Sequence, residues 1–589
     1  RYERTTRIEP RVAFVGLWDT VDAYGLPIDE MTRGWDQWVW PLSMCERDAP
    51  KKIAKVCHAI ALDDERHTFH PVLLDESDAQ PAAHTDEERV TQVWFSGVHS
   101  NVGGGYPDDS LAHVSLLWMA DEAFKKGLKF HVHIRNLWVA RADPNGPIYD
   151  SRRGLGAYYR YNPRSIFKLT RDAFADVKIP RPKIHESVFR RIRSGRDDYA
   201  PIVLPEIYDV VTAAAKKAGN PETPQGAIVR DQQNPFEHPT QAAARAVDQE
   251  RVWNFVWVRR VLYFSTVFVT TALLLGPTLF EGKTLPEVDL DSGTVRGLLD
   301  LAGSFLPDLA QPLVTFWQAH AVIFALLALL LAGLLFSSTL VQSTIGYRMK
   351  GFWDGITDGR PREVSPAIPP NDLIFKLRWH PAYRRATEFL SQRAFPFVFG
   401  LIALSAVALI VSGTINRAMF TVRTVAGRTC TPGTDLLASR EGAWPEILFN
   451  NRDLCQTTRI ELQAGRTYEI SITLPQGWKD KSIPSDLTGI STSAAPWVYI
   501  PALPLRRVLR APWFVPVARI GVWTPEYHII TQRVTEVTPR QTGQLFLFVN
   551  DAVGPPGWRS LFYENNEPGP KDPAKVIVKE KVLTLASTQ

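Results

Sequence analysis

The sequence predicts a chain of three unlike parts: an α/β domain at the N-terminus, a helical region that crosses a membrane three times, and an all-β domain at the C-terminus. Three observations carry that reading. Two continuous apolar runs of strand length, residues 11–17 and 89–95, each run into a polar residue, Asp19 and His99, as expected of parallel strands buried on both faces. Three uncharged stretches, 261–280, 321–341 and 396–415, are each long enough, at about 1.5 Å per residue, to cross a hydrocarbon core about 30 Å thick. Beyond residue 415 the texture changes to apolar–polar alternation, as at 467–474 and 544–550, with Pro- and Gly-rich breaks between, the pattern of a sandwich or jelly roll. The divisions fall at 1–250, 251–415 and 416–589.

In the first part, the strand at 89–95 opens into Ser96-Gly97-Val98-His99, followed by a run of glycines at 103–105. His99 therefore sits on a loop at a strand's carboxyl end, where open α/β sheets place their chemistry. An amphipathic helix follows at 111–123, with Asp109 or Ser110 as its N-cap and Gly127 beyond its end. Strand, loop and helix in that order make the α/β pattern. A carboxylate and an imidazole in these settings suit an acyl-transfer triad, in which His takes the nucleophile's proton and the carboxylate fixes the His tautomer. The α/β-hydrolase order is nucleophile, acid, His. Asp19 before His99 fits that order and requires the nucleophile elbow to lie upstream of Arg1. No Gly-x-Ser-x-Gly occurs among the 589 residues and Arg1 is not an initiator Met. The expectation is thus a partial α/β-hydrolase, the downstream part of an enzyme and inactive without its serine. Competing readings stay open: Asp63, Asp64 or Glu65 as the acid, His58 or His185 as the base, Asp19 as an Asx cap and His99 as a turn residue. Residues 158–163 and 179–184 suggest a lid or cap, and a helical extension is equally compatible.

The segments GLWDTVDAYG, CHAIALDDERHTFHPVLL, VWFSGVHSNVGGGYPDDSLAHVSLLWMADEA and IHESVFRRI resemble, in that order, the downstream motifs of the type VI secretion phospholipase-effector family of α/β-hydrolase catalytic domains. The resemblance covers residues 1 to about 195. It implies an esterase or phospholipase with a Ser-Asp-His triad, whose acid and base roles carry over to Asp19 and His99. Asn101 stands where relatives usually carry Asp, a departure that bears on the support of His99.

The spans imply a multi-pass membrane protein. Arg259 and Arg260 abut the first span and nine Lys or Arg residues between 348 and 393 fill the second connection, whereas the first connection holds only Lys283 and Arg296. By the positive-inside rule the N-terminal domain is cytoplasmic and the C-terminal domain exported, as in a bacterial inner membrane. Of the four cysteines, Cys45 and Cys57 then lie inside, and Cys430 and Cys455 lie where a disulfide persists. Whether those two pair is left open. None of the three spans has Asp, Glu, Lys or Arg at its centre, which argues against a transporter.

In the last part, residues 543–551, 563–566 and 574–578 resemble the PA-IL-like family of calcium-dependent galactose-binding jelly rolls. The resemblance implies Ca²⁺ ligands at Asp551, Asn565 and Asn566, oxygen donors of the kind a hard cation takes, and a glycan partner. A turn role for the same Asn and Asp residues stays open. Net charge is +5, but no Lys/Arg run is interleaved with aromatics, which excludes nucleic acid as a partner. The leading expectation is a membrane-anchored serine hydrolase of lipase or phospholipase type acting on lipid esters, with no cofactor for hydrolysis. The alternative is a non-enzymatic membrane protein with an exported carbohydrate-binding β domain and a hydrolase-like scaffold.

Overall fold

The computed structural model describes residues 11–22, 29–41, 47–77, 82–172, 176–212, 226–279, 293–306, 310–357, 371–474, 478–490, 502–554, 561–567 and 574–581. They fall into two compact units, each of which gathers chain from both sides of apolar helices. The first comprises residues 1–273 and 326–403, the second 274–325 and 404–589. This division differs from a three-part reading at 250 and 415, because the polar ends of the long helices pack into the core of the first unit.

The first unit is built on a six-stranded sheet. Its strands are β1 (Val15–Trp18), β2 (Val56–Ala61), β3 (Val90–Phe95), β4 (Lys183–His185), β5 (Asp209–Thr212) and β6 (Ala227–Val229), in that spatial order. The first five are mutually parallel and β6 is antiparallel to β5. Two-residue periodicity explains why the apolar runs are continuous. On β2 and β3, Cys57, Ala59, Ala61, Val93 and Phe95 enter one core cluster, while Ile60 and Trp94 enter another on the opposite face. The helices nearest the site are α1 (Asp29–Trp38), α2 (His99–Gly103), α3 (Ser110–Lys125), α4 (Ile166–Leu169) and α5 (Glu186–Ser194). Trp118 and Met119 of α3 close the first cluster as core residues.

Three apolar helices are long enough to cross a membrane: Pro239–Gly276, Ala321–Trp353 and Pro381–Val425. The first lies within α6 (Pro239–Leu279), the second within α7 (Ala321–Thr357), and the third joins α8 (Pro381–Phe389) through a π-helical turn, Leu390–Ala394, to α9 (Phe395–Val425). Their apolar side chains are largely left uncovered by protein, among them Phe268, Leu329, Phe336 and Ile402. The polar halves behave differently. Val252, Val256, Ile345, Met349 and Trp353 are buried in the same cluster as Ile60, Trp94, Ile184 and Val210 of the sheet.

The second unit contains two four-stranded antiparallel sheets. The strands are β7 (Ile447–Phe449), β8 (Gln456–Leu462), β9 (Tyr468–Thr473), β10 (Pro516–Ile520), β11 (Glu526–Ile529), β12 (Val534–Val537), β13 (Gly543–Val549) and β14 (Ala574–Glu580). One sheet runs β8-β13-β10-β11 and the other β12-β9-β14-β7. Alternate residues of both, such as Ile460, Leu547 and Ile520 against Ile470, Val576 and Phe449, share one core. Cys430 and Cys455 form a disulfide with Cα atoms 5.2 Å apart. Cys57 is a buried free thiol, and Cys45 lies outside the described residues.

Candidate active site

Asp19 and His99 are brought together by the parallel sheet. Asp19 follows β1 and His99 opens α2 after β3, so both lie beyond the carboxyl ends of strands flanking β2. Asp19 Oδ2 accepts a hydrogen bond from His99 Nδ1 at 2.7 Å. Nε2 of His99 has no hydrogen-bond partner among the described residues, and the His99 side chain is 31% exposed. That is the geometry of an oriented general base: a buried carboxylate holds one ring nitrogen and the other is left for a proton donor.

The backbone explains how Asp19 turns inward. Its φ is +40°, in the left-handed region that Asp tolerates better than most residues, and its N–H donates to Ala59 O at 2.7 Å. Its carboxylate is completely buried, and besides His99 it accepts from Ala61 N at 2.8 Å. The decisive partner is Arg164, whose Nη1 and Nη2 donate to Asp19 Oδ1 and Oδ2 at 2.6 and 2.8 Å. Arg164 is itself fully buried and also donates to the carbonyls of Ala61 and Phe69. Burial opposes ionisation of Asp19, but the Arg164 guanidinium and the His99 hydrogen bond overcome it and hold the carboxyl well below the usual range.

The loop that carries His99 is pinned from beneath. Asp64 Oδ2 accepts from His99 N at 3.2 Å while Arg66 grips the same carboxylate through Nε and Nη2. Asp63 accepts from Gly97 N at 2.6 Å and from Tyr199 OH at 2.9 Å, and burial raises its pKa to about 6. Asn101 accepts from Val98 N at 3.2 Å and donates to Pro147 O at 3.0 Å, closing the turn. The Phe69 ring meets His99 edge-on at 5.4 Å, with the Arg66 guanidinium 3.4 Å over its other side.

The other candidates from the sequence make contacts of their own. His58 is a buried neutral residue that accepts from Thr20 N at 3.1 Å, with burial lowering its pKa to about 4. His185 caps α5 through its Nδ1, stacks on Phe95 and is lowered to about 3 by burial. Glu65 pairs with Arg259 at 3.0 Å, away from His99. Of the segment read as a lid, Tyr158 OH meets Thr270 of α6, and Asn162 Nδ2 meets His67 Nδ1 at 2.8 Å in the turn after β2. Arg164 was not foreseen. A lone Arg after Pro163 carries no periodicity or motif, and its only sequence signal is that a buried Asp needs a cationic partner.

In the second unit, Asp551 and Asn566 meet. Asp551 Oδ2 accepts from Asn566 Nδ2 at 3.1 Å, and both residues are buried, whereas Asn565 is exposed. Asn566 Oδ1 has no hydrogen-bond partner among the described residues. Among the described residues no group of three or more His, Cys, Asp or Glu side chains is arranged to hold a metal ion.

Residues 1–122 match the model of the type VI secretion system phospholipase effector Tle1-like catalytic domain. Asp19 and His99 both lie within the matched stretch, which is 122 of 589 residues. No curated protein and no solved structure matches the chain.

Proposed function

We propose that this chain is the acid- and base-bearing part of a membrane-anchored serine hydrolase of lipase or phospholipase type, with its serine supplied from sequence outside residues 1–589. The observation that carries the proposal is the 2.7 Å pair of Asp19 Oδ2 and His99 Nδ1, with His99 Nε2 left unpartnered among the described residues. The serine Oγ attacks the ester carbonyl while His99 Nε2 takes its proton. His99 then returns that proton to the leaving alkoxide, and water repeats the sequence to release the acid. Asp19 keeps the proton on Nδ1 and stabilises the imidazolium. The match to phospholipase-effector domains supports a lipid ester as substrate, and the parallel strands ending at both residues support an α/β-hydrolase fold. The distribution of Lys and Arg about the spans, together with the Cys430–Cys455 disulfide, supports a cytoplasmic first unit and an exported second unit.

The test is a chain extended into its upstream coding sequence, assayed on phospholipid vesicles and with a fluorophosphonate probe. His99→Ala and Asp19→Ala should each cost roughly 10³–10⁴-fold in turnover. Full esterase activity in both variants would overturn the assignment, and a cytoplasmic reporter fused after Gln589 would overturn the orientation.

A second reading is favoured by the buried Asn566 Oδ1 beside the Asp551 carboxylate: a calcium-dependent carbohydrate-binding domain on a hydrolase-like scaffold. Jelly-roll topology is supported by strand order. Numbered along the chain, the eight strands of the sandwich run 1-8-3-6 in one sheet and 2-7-4-5 in the other, two interleaved Greek keys. Asp551 and Asn566 would hold the cation, with Asn565 recruited from the surface. Calcium-dependent retention of the full chain on a galactose surface tests this reading, and retention unchanged by chelator counts against it.

A further inference from the structure

A groove of 1290 Å³ in the first unit is lined by α6 on one side and by the helices between Arg378 and Phe399 on the other, with the segment from Ser165 to Arg171 across its polar end. Its walls change character along both helices in the same direction. On α6, Arg260 gives way to Phe264 and Val267, about 10 Å further along at 1.5 Å per residue. On the other wall, Arg384 gives way to Phe395 and Phe399. Trp257 Nε1 donates to Tyr383 OH at 2.9 Å and fastens the two walls together.

The polar end is over-supplied with cations. Six basic residues line the groove against four carboxylates. Two of those carboxylates are already engaged: Glu30 with Arg160 at 2.5 Å and Glu250 with Arg378 at 2.6 Å. Lys168, Arg171 and Arg384 make no ion pair among the described residues. Arg171 and Arg384 lie instead over the rings of Phe167 and Trp379. Arg260 donates to Asn162 Oδ1, yet among the described residues its buried Nε has no acceptor, and neither has Nε of Arg378. Burial first, and then the neighbouring guanidinium groups of Arg260 and Arg378, lower Lys168 to about 8 against the opposing effect of Glu250.

We propose that this groove holds one anionic phospholipid, its phosphate among Lys168, Arg260 and Arg384 and its acyl chains along Phe264, Val267, Phe395 and Phe399. The chemistry is that of an amphiphile: unmatched positive charge at one end, aromatic and aliphatic walls at the other, and aromatic residues between, as at a membrane interface. The site rests on α6 and α9 lying in a bilayer and does not require the chain to be a hydrolase. Segment 160–171 belongs to both regions, since Arg164 holds Asp19 and Lys168, four residues on, lines the groove.

Native mass spectrometry of the detergent-solubilised full chain tests the site with dioleoyl phosphatidylglycerol, dioleoyl phosphatidylcholine and soluble glycerol 3-phosphate as probes. One phosphatidylglycerol should be retained per chain in preference to phosphatidylcholine, which has the same acyl chains. Each cation removed should weaken that preference roughly fivefold, so Lys168→Gln with Arg384→Gln should abolish most of it while Lys168→Arg preserves it. Unchanged thermal unfolding of these variants would assign the loss to the headgroup site. Equal retention of the two lipids by the parent chain would overturn the proposal. So would a preference that survives the double substitution, or displacement of phosphatidylglycerol by equimolar glycerol 3-phosphate. If lipid selectivity fails while the chain still partitions into vesicles, membrane anchoring stands without the lipid site.

Discussion

At the scale of residues, Arg164 sets the terms on which Asp19 can be buried. A carboxylate with no access to water is sustained by a bidentate guanidinium and one backbone N–H, and His99 then joins a structure already neutralised. Arg164→Ala should cost about 3–5 kcal/mol, because it strands a buried charge rather than deleting a pair. Arg164→Lys should recover only part, a single ammonium being unable to span both oxygens. Chemical denaturation of the full chain measures both. The depressed pKa of Asp19 means that its contribution is present above the ordinary carboxylate range and is lost as pH falls below it. Asp551 has the opposite sign. Burial, with Asp480 nearby, raises it to about 7. Its contribution to stability is therefore full below about pH 4 and declines as pH rises towards 7. Unfolding of the second unit followed between pH 5 and 8 should show this fall, and Asp551→Asn should flatten it. Asp19 and His99 were legible as polar residues that end apolar runs; β3 before His99 is buried as expected, whereas β1 before Asp19 is a half-buried edge strand and not one covered on both faces. Arg164 was not, since its role arises from a contact across 145 residues that leaves no local pattern.

At the scale of elements, the turn between β3 and α2 aims His99. Gly97 has φ +110°, and a Cβ there would lie 2.4 Å from Asn101 Cβ. Gly97→Ala should therefore shift the loop as well as strain it, at a cost of order 1–3 kcal/mol. In an upstream-extended chain it should reduce serine-probe labelling more than it reduces thermal stability. A second close approach fixes α1 against the start of α9. A Cβ on Gly400 would sit 2.4 Å from Trp38 Cδ1 and 2.8 Å from Gly34 O, and one on Gly34 would sit 2.5 Å from Pro396 O. Trp38 also meets Phe397 edge-on at 5.3 Å. Gly400→Leu should lift α1 away, seen as faster tryptic cleavage at Arg33 with the apolar helices still in detergent. Nothing in the sequence around residues 29–40 announced this docking. Glycines spaced far apart mean nothing until two elements are known to cross. The three apolar helices, in contrast, were legible in number and place though not in their ends, because a stretch without charge long enough to span a bilayer has few soluble explanations. Their polar extensions were less so, since α6 begins at Pro239, well before its uncharged portion.

At the scale of the whole molecule, the sequence reading of strands and spans foresaw the kinds of structure present, but it placed their boundaries at changes in composition. The core ignores those boundaries. Ile345, Met349 and Trp353 lie at the far end of the second apolar helix, α7, yet they are buried with the sheet. In the second unit, Cys430–Cys455 closes a loop of sequence separation 25, for which a chain-entropy model gives about 3–4 kcal/mol. Reductant should lower the unfolding temperature of that unit and leave the first unit's transition in place. The interlaced core has a further consequence, for biosynthesis. A ribosome delivering this chain in order completes all six strands of the sheet by Val229, but the core cluster that packs on one face of it is not complete until Trp353 is made. Between those two points α6 and most of α7 are made, with Val252 and Val256 waiting for partners. Completion of the core on the sheet is thereby subordinated to the two long apolar helices. A chain stalled or cut near residue 250 should expose this unfinished core, bind chaperones and aggregate, however complete its sheet.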